Sequence, residues 1–166
     1  MNAKEYNIAV ELYADNIYRF ALKHLKNEAL AKDVVQETFM KVWIKHEEVE
    51  QEKIKSYLFT TAYHAIIDSV KKEKRSADFD LVDKTQASDT FADAESNNNE
   101  LKVILDQALN RLPEIQKSVV LLRDYEGYSY EEIAEITSLT ESQVKVYIFR
   151  ARQSLKIHLK EHSLVA

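Results

Sequence analysis

The chain has no cysteine, one glycine and one proline in 166 residues. Without thiols, it has no disulfides, no thiolate catalysis and no cysteine-ligated zinc. Average proteins carry roughly 12% glycine plus proline, so the tight turns of sandwiches and barrels are excluded. The clustered glycines of dinucleotide and phosphate loops are excluded too. An all-α chain remains. Its 45% hydrophobic residues suffice for a core. No apolar run approaches the roughly 20 residues of a membrane span, and Met1 to Tyr13 holds no apolar signal core. A soluble chain in a reducing cytoplasm, without membrane insertion, is the expectation.

The net charge of −5 is unevenly spread: residues 1–75 are net +1, residues 76–100 net −6, and residues 101–166 neutral. The acidic segment is rich in Asp, Ser, Thr and Asn, whose side chains compete with helix hydrogen bonds. It shows no sustained apolar period. Residues 76–100 therefore read as a flexible acidic linker between two small helical domains, 1–75 and 101–166.

In the first domain, Ile17, Phe20, Ala21 and His24 recur at helical spacing, and Leu30, Val34, Val35, Phe39 and Val42 form a second stripe. Ser56 reads as the N-cap of a third helix, with Leu58, Ala62, Ala65, Ile66 and Val70 on one face. That helix is expected to end in the basic run Lys71, Lys72, Lys74 and Arg75, where cations also suit the helix dipole. On the second helix, Asp33, Gln36, Glu37, Met40, Lys41 and Ile44 lie opposite or beside the apolar stripe. This face either docks a partner or is simply solvated.

In the second domain, Pro113 is expected at the first helical position and Gly127 at a left-handed helix stop. Ser129 with Glu132, and Thr140 with Gln143, fit two capping boxes. Helix starts this close leave a short helix, a turn at Thr137-Ser138-Leu139 and a long helix, which is helix-turn-helix spacing. Residues 142–160 hold five cations and no acids, whereas residues 121–141 are net −5. In such a motif the N-terminal residues of the second helix meet base edges. Here those are Thr140, Glu141, Ser142, Gln143, Lys145 and Val146. Gln can read adenine bidentately, while Arg150 and Arg152 suit phosphates or structure. The alternative is a helical pair with a solvated basic face. His158, Glu161 and His162 match the H-x-x-E-H zinc pattern, but they sit at the last helical turns with no pocket implied around them, and an amphipathic terminal helix is the preferred reading. Nothing assembles a nucleophile, a base and an oxyanion donor, so no catalytic residue, cofactor, metal or small-molecule substrate is expected.

Three segments together resemble a bacterial RNA polymerase sigma factor of the extracytoplasmic-function (ECF) branch. The first, Ala31 to Trp43, is similar to the family's core-polymerase-binding helix. The second, Ser56 to Lys72, is similar to its promoter-melting and minus-ten-reading helix. The third, Arg111 to Arg152, resembles its minus-thirty-five domain. The resemblance implies that Asp33, Gln36, Glu37, Met40 and Lys41 face core RNA polymerase. It implies that residues 49–55 receive an unpaired promoter base, and that Tyr57, Tyr63, His64, Lys71, Lys72, Lys74 and Arg75 hold the opened strand. Aromatic faces stack exposed bases, with core packing preferred for Phe59. The partners implied are core polymerase, promoter DNA and an anti-sigma factor. The rival reading is a stand-alone helix-turn-helix transcriptional regulator with an N-terminal dimerisation or ligand domain. The chain also departs from the family pattern. Tyr57 stands where Trp is common, Tyr63 and His64 replace Arg-Asn, and Ser138 replaces the turn glycine. Ser142, Gln143, Val146 and Tyr147 replace other residues of the recognition helix.

Overall fold

The computed structural model describes residues 1–79 and 97–162. The chain divides into two compact units, one on each side of residues 80–96. Among the described residues all regular structure is helical.

In the first unit, α1 (Ala3–Leu25) opens on a reciprocal cap. The Asn2 side chain accepts from the Glu5 N–H at 2.8 Å, and the Glu5 carboxylate accepts from the Asn2 N–H at 2.9 Å. The helix closes on Lys26, which takes the left-handed conformation at φ 52°. Asn27 then caps α2 (Glu28–Ile44) by accepting from the Leu30 N–H at 3.0 Å. Two single 3-10 turns, His46–Glu48 and Gln51–Lys53, lead into α3 (Ile54–Phe79). The three helices pack pairwise. Ile17, Phe20 and Ala21 of α1, Ala31 and Val42 of α2, and Leu58, Phe59, Ala62 and Ile66 of α3 form the core. Phe20 and Phe59 meet across it, with ring centroids 5.7 Å apart.

Ser56 is not the cap of α3. The helix begins two residues earlier, at Ile54, by continuing the preceding 3-10 turn. Ile54 is buried and anchors the start, so no polar cap is needed. Nor does α3 stop at Arg75. It runs to Phe79, so the basic run lies inside the helix rather than at its end. The proposed linker, 76–100, thus begins and ends in helix, and its stretch 80–96 lies outside the described residues.

The second unit contains α4 (Asn97–Asn110), α5 (Glu114–Val120), α6 (Tyr130–Thr137) and α7 (Glu141–Glu161). Pro113 sits one residue outside α5, as its N-cap, and its carbonyl accepts from the Lys117 N–H at 3.0 Å. Directly after α5 the helix widens to a π-helical turn at Leu121–Tyr125, where the Glu126 N–H reaches the Leu121 carbonyl at 3.0 Å. Gly127 follows at φ 77°, and Tyr128 folds back to bond the Leu122 carbonyl at 3.0 Å. Both expected capping boxes form, at Ser129 with Glu132 and at Thr140 with Gln143. Helix α7 is the spine of this unit: α4, α5 and α6 all pack on it, and Val144, Ile148 and Ala151 of α7 are buried, as are Val119, Leu122, Ile133 and Ile136.

The turn between α6 and α7 keeps its left-handed residue although the glycine is gone, with Ser138 at φ 60°. A Cβ in that region costs about 1–2 kcal/mol. Glycine relieves this but loses about 0.5–1 kcal/mol through its freer unfolded chain. Ser138→Gly should therefore raise stability by up to about 1 kcal/mol, read as a higher urea midpoint at unchanged slope. Gly127→Ala should lose about 1 kcal/mol. A Cβ there meets no atom within 4 Å, so the loss is backbone strain alone. A Ser138→Gly midpoint below the parent's would contradict this account.

Candidate nucleic-acid and protein interfaces

Burying Val144, Ile148 and Ala151 turns the opposite side of α7 to solvent. Ser142, Gln143, Val146, Tyr147 and Arg150 lie there at i, i+1, i+4, i+5 and i+8 and line a shallow concavity. Val146 is 45% exposed and Tyr147 half-buried. Thr140, Glu141, Ser142, Gln143, Lys145 and Arg150 are all exposed, so the expected base-edge residues share one accessible helix end. The cap there is reciprocal: Thr140 Oγ1 accepts from the Gln143 N–H at 3.1 Å, and Gln143 Oε1 accepts from the Thr140 N–H at 2.9 Å.

A cationic cluster not expected from the sequence flanks this end. Tyr130 opens α6, with the Arg123 guanidinium 4.5 Å and the Lys145 ammonium 5.6 Å from its ring centroid. Arg123 Nη1 also donates to the Tyr128 carbonyl at 2.9 Å, which fixes it. The acidic average of residues 121–141 concealed Arg123. Arg152 makes a fork on Asp124, with Nε donating to Oδ2 at 3.1 Å and Nη2 to Oδ1. That hydrogen bond is the main cause holding its guanidinium above the ordinary pKa. Arg152 thus ties α7 to the π-helical turn.

On α3, His64, Lys71, Lys72, Lys74 and Arg75 are exposed and Tyr57 is half-buried. His64, Lys71 and Arg75 recur at i, i+7 and i+11 along one side. Phe59 is fully buried, and Tyr63 is only 9% exposed. The expectation that Tyr63 offers a face for base stacking is not met here: position 63 follows Ala62 and precedes Ile66 on the side that packs into the bundle.

On α2, Asp33, Gln36, Met40 and Lys41 are exposed and Glu37 half-buried. Glu37 and Lys41 pair at 3.9 Å across one turn, a solvated pair worth little. Met40 and Ile44 are 58% and 73% exposed among these charges. Beside them runs an aromatic column the sequence reading missed. Trp43 lies 4.8 Å from Tyr6 and stacks on His46 at 4.0 Å and 3°. The Tyr6 hydroxyl donates to the Phe39 carbonyl at 2.8 Å, so α1 braces the end of α2.

The sigma-70 region 2 family matches residues 9–76, and the sigma-70 region 4 family matches residues 102–155. The ECF RNA polymerase sigma factor SigM of Bacillus subtilis is 32% identical over 148 residues, covering 88% of this chain and 90% of that one. The chain belongs to the ECF sigma factors. SigV of Bacillus subtilis is 31% identical over 153 residues, covering 92% of this chain and 89% of its own. The sigma factor RpoE of Bartonella quintana, solved in complex with the anti-sigma factor NepR, superposes with a TM-score of 0.81 at 28% identity. It covers 95% of this chain and 98% of its own. This sigma factor directs transcription initiation, and the stand-alone regulator reading is not favoured. No helix among the described residues is long and apolar enough to cross a membrane.

The sigma factor's histidine pattern near the end of α7 has a structural use. His158 is buried, and its Nδ1 lies 3.0 Å from Arg111 Nη1, accepting from the guanidinium. That lone pair is therefore engaged, and among the described residues no cluster of three or more His, Asp or Glu is placed to hold a metal. Burial first, then the Arg111 charge and His162, pushes the His158 pKa below its ordinary 6.5. The unfolded chain therefore binds the extra proton more readily. The contribution is complete above pH 6.5 and is lost as the pH falls below it. His158→Asn, whose Oδ1 accepts from Arg111 without titrating, should flatten the dependence of the urea midpoint on pH between about 7 and 5. Parallel losses in parent and variant would refute this assignment.

Proposed function

We propose that the two units divide promoter recognition between them while α2 holds the polymerase. The observation that carries this reading is the order of the two sigma-70 regions on two separately folded units. Asp33, Gln36, Glu37, Met40 and Lys41 bind core RNA polymerase: exposed Met40 and Ile44 supply the apolar contact and the flanking charges set its register. Tyr57, His64, Lys71, Lys72, Lys74 and Arg75 hold the opened minus-ten strand, and the segment 49–55 receives an unpaired base. In the second unit, Thr140, Glu141, Ser142, Gln143 and Val146 read the minus-thirty-five element. Arg150, with Arg123 and Lys145 around Tyr130, meets phosphates.

The chain positions polymerase and DNA and is not itself a catalyst. It works in the cytoplasm, where its promoters are. An anti-sigma factor is a further partner, as NepR is for the Bartonella quintana protein. Residues 1–75 and 101–166 are close to neutral overall, so the free chain binds DNA weakly. The polymerase supplies the missing contacts, and two modest sites on one chain gain through effective concentration.

Met40→Asp tests the α2 face. Met40 touches solvent rather than core, so the urea midpoint should hold while affinity for core polymerase falls by about tenfold or more, roughly 1.4 kcal/mol. Unchanged affinity would place polymerase binding elsewhere. Lys145→Ala tests the phosphate contact. Holoenzyme binding should weaken about equally on all promoters, with the salt slope reduced by about 1. A loss confined to some promoter sequences would make Lys145 a base reader instead.

A further inference from the structure

Three large apolar side chains stand exposed on α7: Val146, Phe149 and Ile157, at 45%, 62% and 59%. Val146 differs from the other two in its neighbours. It shares the shallow concavity with Gln143, Tyr147 and Arg150, and the four recur at i, i+3, i+4 and i+7. That is the spacing at which a homeodomain recognition helix meets the edges of bases in the major groove. Gln143 and Arg150, one turn to either side, are exposed and polar. Val146 is the aliphatic member of the set, and its isopropyl group neither donates nor accepts a hydrogen bond.

The base edges of the major groove are lined by donors and acceptors, with the C5-methyl of thymine as the apolar exception. Setting Val146 against guanine O6, or against the amino group of adenine or cytosine, strips water from a polar atom without replacing its hydrogen bond. Setting it against the methyl removes apolar surface of both groups from water, which is worth about fourfold in affinity for one methyl-sized group. We propose, resting on the assignment of α7 to the minus-thirty-five element, that Val146 is a specificity residue for thymine, read through its methyl group. Gln143, one turn earlier, is left to a polar base edge, and Arg150, one turn later, to a phosphate. Recognition at this one position is thus apolar, on a helix whose other exposed residues there are polar or cationic.

The test removes the methyl and nothing else. Deoxyuridine pairs with adenine as thymine does and lacks the C5-methyl. Holoenzyme assembled from core RNA polymerase and the full chain would be titrated against a promoter duplex that it transcribes. Each thymine of the upstream element, on either strand, would be replaced in turn by deoxyuridine. One replacement should weaken binding by about fourfold. In holoenzyme carrying Val146→Ala, the effect of the same replacement should fall below about twofold. Val146 is exposed, so the urea midpoint of that variant should hold. At the same position, 5-methylcytosine should bind the parent more tightly than cytosine does. Promoter-specific binding that is indifferent to every methyl overturns the proposal and leaves the assignment of α7 standing. A methyl effect of equal size in parent and Val146→Ala also overturns it, because the methyl then acts through the shape of the DNA. Absence of specific binding by the parent holoenzyme on every promoter would overturn the assignment of α7, and this inference with it.

Discussion

Every outward face of this chain depends on where its helices start and stop. Each residue turns an α-helix by about 100°, so a start displaced by one or two residues would rotate a binding face into the core. With one glycine and one proline to punctuate 166 residues, side chains set several of the starts. Asn2 with Glu5, Asn27, Ser129 with Glu132, and Thr140 with Gln143 close the N-termini of four helices. Lys26 and Ser138 accept left-handed strain at two stops. The cap at Thr140 fixes the exposed end of α7, the end that the proposed function assigns to DNA.

Stability and function draw on opposite sides of the same helices. Apolar burial along α1, α2 and α3, and along α7, supplies the folding energy. The exposed cations of α3 and α7 contribute little to it. Two arginines of the second unit make long-range contacts: Arg152 bonds Asp124, and Arg111 bonds His158. These contacts hold α7 at its middle and its far end, while its N-terminal turns remain accessible.

What was legible in the sequence was local. The apolar stripes, the helix-turn-helix spacing, the two capping boxes and the left-handed Gly127 all follow from residues three or four apart, and all are present. Local signals also misled. Ser56 resembled a cap, but a 3-10 turn and buried Ile54 start α3 without one. The basic run resembled a helix end, yet α3 continues to Phe79. Tyrosine is ambiguous between core and surface, and Tyr63 falls in the core while Tyr57 stays half-exposed. Long-range pairings left no sequence trace. Arg152 and Asp124 are 28 residues apart, and Arg111 and His158 are 47 apart. The Tyr130 cluster joins three elements.

The central claim is that this chain acquires promoter specificity as part of a polymerase holoenzyme. Transcription from a randomised promoter library by core RNA polymerase, with and without the chain, tests it most directly. The account predicts new start sites, dependent on the chain, that share two short elements at a fixed spacing. Active polymerase with no specific starts would contradict it, as would nanomolar promoter binding by the chain alone.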